Sequence, residues 1–187
     1  MARRRKNASF TLHQTYGSGN GDRALIQAFY AKLNALIPGS TPVPIPPESH
    51  VHPGHDAETQ KYIFADYAVR KIAPIALRAM GLKVQGAALE QLEPITNEKT
   101  AAEAAAAADA AAAHAVHYAR AAHDFAAADA AADAAKAAVS AAFYARAAYD
   151  HTAPRFAAAH AAASAAFAAE LNPDATWAAV SEMLQAL

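Results

Sequence analysis

The sequence predicts an all-α protein: a closely packed bundle of long, alanine-rich helices with an extended N-terminal arm. Alanine, which has the highest intrinsic helix propensity, supplies 41 of the 70 residues from Ala101 to Glu170. Neither glycine nor proline occurs between Ala101 and Ala153. Apolar residues recur at helical spacing in further segments on both sides of this run. Together these observations indicate a protein made of helices throughout its folded part.

Composition divides the 187 residues into four segments. Residues 1–21 are expected to form a flexible basic arm, because four of the 16 basic residues lie in the first six positions and a glycine-rich run follows. Residues 22–37 carry a helix with one apolar face. Residues 38–56 hold six of the ten prolines and are expected to be extended. Residues 57–187 make up the alanine-rich helical domain.

In the first part of this domain, the sequence predicts one long helix followed by a short one. We expect a helix at Ala57–Met80, capped by Asp56, which Pro74 should kink or divide because proline lacks the N–H group that a helix needs. Gly81 and Gly86 are expected to frame a break. A short helix is predicted at Ala87–Leu92.

The alanine-rich run should start at a cap formed by Thr96 or Asn97. A helix unbroken over residues 101–153 would be about 80 Å long, so we expect at least one break or an extended shape. Thr152 and Pro154 are expected to begin a further helix that runs to Leu171. Asn172 and Pro173 form a strong start signal for the last helix.

Alanine faces allow two helices to approach closely, and larger residues then act as spacers between them. We expect this role for Tyr118, Phe125, Val139, Phe143, Tyr144 and Tyr149. The pentapeptide YARAA occurs at Tyr118 and again 26 residues later at Tyr144. This recurrence indicates either two equivalent helical arms or chance repetition in an alanine-rich sequence.

We predict that the chain acts by binding another protein, either a different one, further copies of itself or a larger assembly. The expected contact residues are the basic residues of the arm and the repeated Tyr-Arg pairs: Arg3, Arg4, Arg5, Tyr118, Arg120, Tyr144 and Arg146. The formal net charge of -1 argues against nucleic acid as a partner, except through the arm. No apolar stretch is long enough to suggest a membrane segment.

Two groups of histidines are candidates for metal binding. His50, His52 and His55 lie in the proline-rich segment, and His114 and His117 lie three residues apart on a predicted helix. We interpret the first group as a solvated turn, because its tract is loop-like and stiffened by proline and provides no defined scaffold for ligands. We interpret the second as polar helix surface, because no Glu-x-x-His elements or carboxylates at matching spacing accompany it. No metal and no cofactor are therefore expected.

The sequence argues against an enzyme. It contains no cysteine, no G-x-S-x-G turn and no phosphate-binding glycine loop. Closely packed alanine helices also leave little room for a substrate pocket. The absence of cysteine and of a signal-peptide pattern favours the cytoplasm, or a virus particle assembled there.

From Phe64 to the end, the chain resembles an alanine-rich family of immunity-protein-like sequences from bacteria and phages. The resemblance lies in FADYAVRKIAP at residues 64–74, in the alanine helices with interspersed Tyr, His, Asp and Arg, and in the final helix with Trp177. It implies an all-helical, non-catalytic protein that binds another protein. It transfers no functional residues to this chain.

Three functions follow as hypotheses. The first is an interaction protein, either an immunity-type inhibitory binder or a component of an assembly. The alternative is a structural subunit of capsid or virion type, whose N-terminal arm drapes over its neighbours. The third is a histidine-based metal-binding protein.

Overall fold

The computed structural model describes residues 57–121, 125–146 and 153–187, together with Phe29 and Ala31. Within this part of the chain the backbone is helical apart from short turns, and it contains no strand, which confirms the predicted all-α class. None of the described helices is long and apolar enough to cross a membrane. Phe29 and Ala31 are both helical, and the Phe29 ring is buried against Phe64 at a centroid distance of 5.7 Å. The predicted arm, the extended segment 38–56 and the Asp56 cap lie outside the described residues.

The first long helix changes its pitch in the middle. Helix α1 spans Ala57–Asp66, a π-helical segment spans Tyr67–Ile72, and α2 spans Ala73–Ala79. The N–H of Ala73 donates to the carbonyl of Ala68, five residues earlier, as in a π-helix. Pro74 follows directly, and the wider turn accommodates a ring that would otherwise clash with the carbonyl four residues before it. The predicted division at Pro74 is therefore a change of helix type.

The short helix α3 spans Lys83–Glu90, so the prediction of Ala87–Leu92 was wrong at both ends. Gly81 forms the expected break, since its φ of 82° is in the left-handed region that favours glycine. Gly86 instead lies inside α3. A Cβ atom there would be 3.0 Å from the side chain of Arg78 and 3.3 Å from the carbonyl oxygen of Pro74. This glycine allows α3 to approach α2 closely.

The alanine-rich run forms two helices, α4 at Glu98–Ala121 and α5 at Phe125–Arg146, which confirms the expected break. Asn97 caps α4, because its side-chain oxygen accepts from the N–H of Thr100 at 3.0 Å. The Thr100 hydroxyl oxygen in turn accepts from the N–H of Asn97 at 3.2 Å. The two helices pack against each other and are separated by three residues, which is the arrangement of a helical hairpin.

Helix α6 spans Ala153–Leu171 and α7 spans Pro173–Ala186, as the start signals predicted. The Asn172 side chain accepts from the N–H of Ala175 at 3.3 Å and caps α7. Thr152, the expected cap of α6, lies outside the described residues. Helix α6 runs antiparallel to α5: Tyr144 stacks on Phe156, whereas ten residues earlier Ala134 is bonded to Ser164.

The core has two parts of different composition. Among the side chains that the structure describes in α4, α5 and α6, the buried apolar ones are alanines and Pro154. The large buried side chains come instead from α1, the π-helical segment, α2, α3 and α7; they include Phe64, Ile72, Leu77, Leu89, Met183 and Leu187. Small alanine side chains allow these three helices to pack closely. The large apolar side chains belong to the other part of the core, which we call the large-residue layer.

The expected spacer role was wrong for Tyr118 and Phe143, whereas Val139 and Tyr144 pack against the buried core as expected. Tyr118 is 43 % exposed and Phe143 is 55 % exposed, and Val139 and Tyr144 are half-buried. Where two alanine faces meet closely, no space remains for a ring, so these side chains lie at the edges of the helix contacts. The side chains of Phe125 and Tyr149 lie outside the described residues.

Candidate interaction surface

Four ring-bearing residues form a cluster where the end of α5 lies beside the first turns of α6. The Tyr144 ring stacks on Phe156 at a centroid distance of 4.8 Å and on His160 at 5.4 Å. Phe143 meets Tyr144 edge to face at 5.6 Å. We call Phe143, Tyr144, Phe156 and His160 the aromatic cluster. Such ring pairs stabilise one another beyond their simple burial, so the cluster is a defined surface rather than a set of independent side chains.

Two members of the aromatic cluster are exposed, and Tyr144 and His160 are half-buried. Among the described residues four large hydrophobic side chains are exposed, and two of them, Phe143 at 55 % and Phe156 at 44 %, belong to this cluster. Scattered exposed apolar residues are normal on a protein surface, but adjacent exposed rings are typical of interaction sites.

A shallow groove of about 360 Å³ continues from the cluster along the line between α5 and α6. Ala137 and Ala163 form its low floor, because both are nearly buried and have no side chain beyond Cβ. The remaining lining residues are Asp133, Lys136, Ser140, His160 and Phe167. We call the groove and the aromatic cluster together the α5–α6 face.

Helical periodicity places these side chains on one face. On α6, Phe156, His160, Ala163 and Phe167 follow at intervals of four, three and four residues. The antiparallel α5 supplies its own stripe at the same spacing, from Asp133 through Ser140 to Tyr144. The resulting face extends along both helices, with large rings at one end and a single ring, Phe167, at the other.

The face is electrostatically asymmetric. Asp129 lies four residues before Asp133 on α5, and Glu170 lies three residues after Phe167 on α6, so both exposed carboxylates continue the stripes at one end. At the other end the Arg146 guanidinium lies over the Phe143 ring, with 5.9 Å between its central carbon and the ring centroid. Lys136 lies between the ends and contacts Asp133 at 3.3 Å. Among the described residues, one end of the face therefore carries carboxylates, and the Arg146 guanidinium lies beside Phe143 at the edge of the other end.

The structure brings together only part of the predicted contact set. Tyr144 belongs to the α5–α6 face, and Arg146 lies over the Phe143 ring at the edge of that face. Tyr118 is exposed near the other end of the hairpin, with its hydroxyl close to Gly81. Tyr144 is 19 residues beyond the start of α5, or about 28 Å along its axis, so the two YARAA copies do not form one site. The side chain of Arg120 and residues Arg3, Arg4 and Arg5 lie outside the described part of the chain.

Within the part of the chain that the structure describes, the histidines on α4 have no further ligands close enough to form a metal site with them. His114 and His117 are both exposed, and no three His, Asp or Glu side chains of the described residues lie close enough together to hold a metal ion. His50, His52 and His55 fall outside the described residues, so the hypothesis about that group stays a prediction.

Sequence reasoning missed Phe156 and His160 as surface residues. The only signal in the sequence was that Phe156, His160 and Phe167 recur at helical spacing on α6. Phe167 is half-buried, however. Periodicity alone does not show whether such a row of residues faces the core or lies at its outer edge. The proximity of this stripe to Tyr144 depends on the pairing of α5 with α6, which is a tertiary contact.

A polar cluster outside the α5–α6 face connects the π-helical segment with other parts of the chain. Tyr67 donates to Glu182 of α7 at 3.2 Å. Partial burial, with a further contribution from the Glu182 carboxylate, raises the pKa of Tyr67 to about 12. Nearby, Asp66 accepts from Arg70 at 3.0 Å and from the backbone N–H of Ile95 at 2.8 Å. These bonds hold α7 and the segment before α4 in place, so the cluster is structural.

Comparison with protein-family models finds no match, and neither the curated protein sequences nor the solved structures give one. The resemblance to immunity-protein-like sequences therefore stays a prediction.

Proposed function

We propose that this protein works by binding another protein chain through the α5–α6 face, without catalysing a reaction. The observation that carries the proposal is the exposure of Phe143 and Phe156, whose rings both contact Tyr144, one edge to face and one stacked. Exposing two rings to water costs free energy that a covering partner would recover, at about 25 cal/mol for each Å² of apolar surface buried.

The shape of the face fits a helical partner. A low alanine floor with rings at its ends resembles the grooves that accept the apolar side of an amphipathic helix. The neighbouring carboxylates and the Arg146 guanidinium add polar groups at the rim, which set orientation and specificity more than affinity.

The polar groups of the groove support binding rather than catalysis. The Ser140 hydroxyl donates to the carbonyl of Lys136 at 3.2 Å, a bond that serines within helices commonly make. Asp133, the carboxylate that lines the groove, is already paired with Lys136. A shallow, open groove also gives little shielding from water, which catalytic electrostatics require.

Site-specific photo-crosslinking in the source cell tests the proposal. A photoreactive phenylalanine analogue at Phe143 is expected to crosslink to one predominant protein. The matched control places the same analogue at Val84, which is 78 % exposed on α3, far in sequence from the face. That position should give no such product.

Absence of a specific product at Phe143, or equal products at Phe143 and Val84, would contradict the proposal. A ladder of products that contain several copies of this chain would instead identify a subunit of an assembly. A product with one different protein would identify a binder of the inhibitory type.

A further inference from the structure

We infer that the α5–α6 face binds a basic amphipathic helix, whose lysine or arginine side chains lie beside Asp129 and Glu170. This inference rests on the proposed function, because it states the chemistry of the partner for the same face. Its basis is the charge at the end of the groove that is remote from the aromatic cluster, together with the spacing between that end and the alanine floor.

Asp129 and Glu170 lie at the same end of the groove. The Ser164 hydroxyl donates to the carbonyl oxygen of Ala134 at 2.9 Å, which fixes the register of the antiparallel helices α5 and α6. Asp129 comes five residues before Ala134 and Glu170 comes six residues after Ser164, so the two carboxylates lie at nearly the same level. Both side chains are exposed, and both continue the stripes of residues that line the groove.

These two carboxylates are free to bind a partner. Among the described residues, no ion pair involves Asp129 or Glu170, whereas Asp133 between them and the floor is paired with Lys136. The sequence contains no lysine or arginine over residues 156–187, so neither the rest of α6 nor α7 brings a cation to this end. The charge that a partner meets there is therefore negative.

This negative charge disfavours several classes of partner. Nucleic acid and anionic membranes present phosphate groups, which the carboxylates would repel. A helix with acidic residues at the same level would be repelled in the same way. A helix with lysine or arginine there gains attraction instead, while the exposed rings and the alanine floor favour its apolar side. The charges therefore determine which amphipathic helix binds more than how tightly it binds.

The spacing along α6 defines the pattern of the partner helix. Phe156 comes seven residues before Ala163 of the floor, and Ala163 comes seven residues before Glu170. Each interval is about 10 Å along the axis, or two helical turns. A partner helix that lies along the groove has the same rise per residue. It should carry large apolar side chains opposite the rings and the floor, and a lysine or arginine about seven residues further along the same side.

Binding of two designed peptides to the full chain tests the inference. Both are amphipathic helices of about 18 residues with the same leucine stripe, and they differ at two positions near one end, which are lysine in one peptide and glutamate in the other. We expect the lysine peptide to bind the wild type about 10-fold more tightly at low salt. The ratio should fall towards one as salt screens the charges. Fluorescence anisotropy of labelled peptides measures both affinities.

Asp129→Asn combined with Glu170→Gln is the decisive variant, because it removes both negative charges and preserves the shapes of the side chains. It should bind the two peptides with nearly equal affinity. Glu103→Gln combined with Asp109→Asn is the matched control, since it makes the same changes at exposed positions of α4, and it should keep the wild-type ratio. Phe156→Ser should weaken binding of both peptides and leave their ratio unchanged. Circular dichroism checks that each variant is folded.

Equal binding of the two peptides to the wild type, or a preference for the glutamate peptide, would overturn the inference. A preference for lysine that persists in the variant without the two carboxylates would overturn it as well, and so would failure of both peptides to bind. In each of these cases, a specific crosslink from Phe143 to another protein leaves the proposed function standing. Absence of that crosslink rejects the proposed function itself.

Discussion

Ser164 is a buried polar residue in a helix contact otherwise lined by alanine. Its hydroxyl donates to the carbonyl oxygen of Ala134 in α5 at 2.9 Å. The sequence showed a serine within a helix, but a hydroxyl there has the option of bonding its own helix, as Ser140 does. The crossing partner is a property of the packed helices, because 30 residues separate it in sequence.

Ser164→Ala is expected to reduce the free energy of unfolding by about 1 kcal/mol, since it removes one buried hydrogen bond without leaving a cavity. Urea denaturation measures the effect. Ser140→Ala serves as control, because that hydroxyl is only half-buried and bonds within its own helix. Equal effects of the two substitutions would contradict a stabilising role of the interhelical bond.

Tyr67 makes stability depend on alkaline pH. The pKa of Tyr67 is raised from 10 in the unfolded chain to about 12 in the folded protein. The stabilisation of the folded state that this shift represents is therefore complete below pH 10. As pH rises from 10 towards 12, the unfolded chain loses this proton first, and the stabilisation is lost.

Tyr67→Phe removes this titration. We expect the variant to be less stable than the wild type below pH 10, and the difference to shrink as pH rises to 12. Denaturation curves at several pH values measure both. A difference that is independent of pH would show that Tyr67 does not titrate differently in the two states.

At the scale of the helices, the sequence predicted most starts and stops because their signals are local. Asn97, Pro154 and Asn172 all lie at or next to the helix starts that they indicated. The start of α3 was wrong because Gly86 was taken as a helix break, whereas its role is close contact with α2. A sequence does not show whether a glycine ends a helix or allows close contact with another helix.

Close packing of the alanine helices makes them sensitive to added volume. Ala138→Leu in α5 places a large side chain at a position with no exposed surface. We expect a loss of about 1–3 kcal/mol in the free energy of unfolding, since the neighbouring helices must separate. Ala106→Leu, at an exposed position of α4, should change it by less than about 0.5 kcal/mol.

Thermal or urea denaturation of the two variants provides the comparison. A neutral Ala138→Leu substitution would mean that the contact between the alanine helices is looser than the structure indicates.

At the scale of the whole molecule, the core has an alanine part and a part built from large side chains, and the two contribute differently to stability. A buried alanine removes only one methyl group from water, whereas each large buried side chain of α1 to α3 and of the C-terminal segment removes several times more apolar surface. The C-terminal segment is part of this core, because the side chains of Val180, Met183 and Leu187 are completely buried.

Met183→Ala is expected to cost about 2–5 kcal/mol, the range for removing a large buried side chain and leaving a cavity. Denaturant unfolding, followed by far-ultraviolet circular dichroism and by Trp177 fluorescence, measures the loss. A cost below about 1 kcal/mol would contradict the central role of the large-residue layer.

The sequence by itself determined the helical class, most helix ends and the break in the alanine run, since propensity, capping and proline geometry act within a few residues. Only the tertiary structure decided which faces are buried. Alanine is small enough to fit either in a contact or on a surface, so composition does not say which stripe of an alanine helix faces its neighbour. For the same reason, the assembly of Tyr144, Phe156 and His160 into one cluster followed from the pairing of α5 with α6, and the distance between the two Tyr-Arg repeats followed from the hairpin.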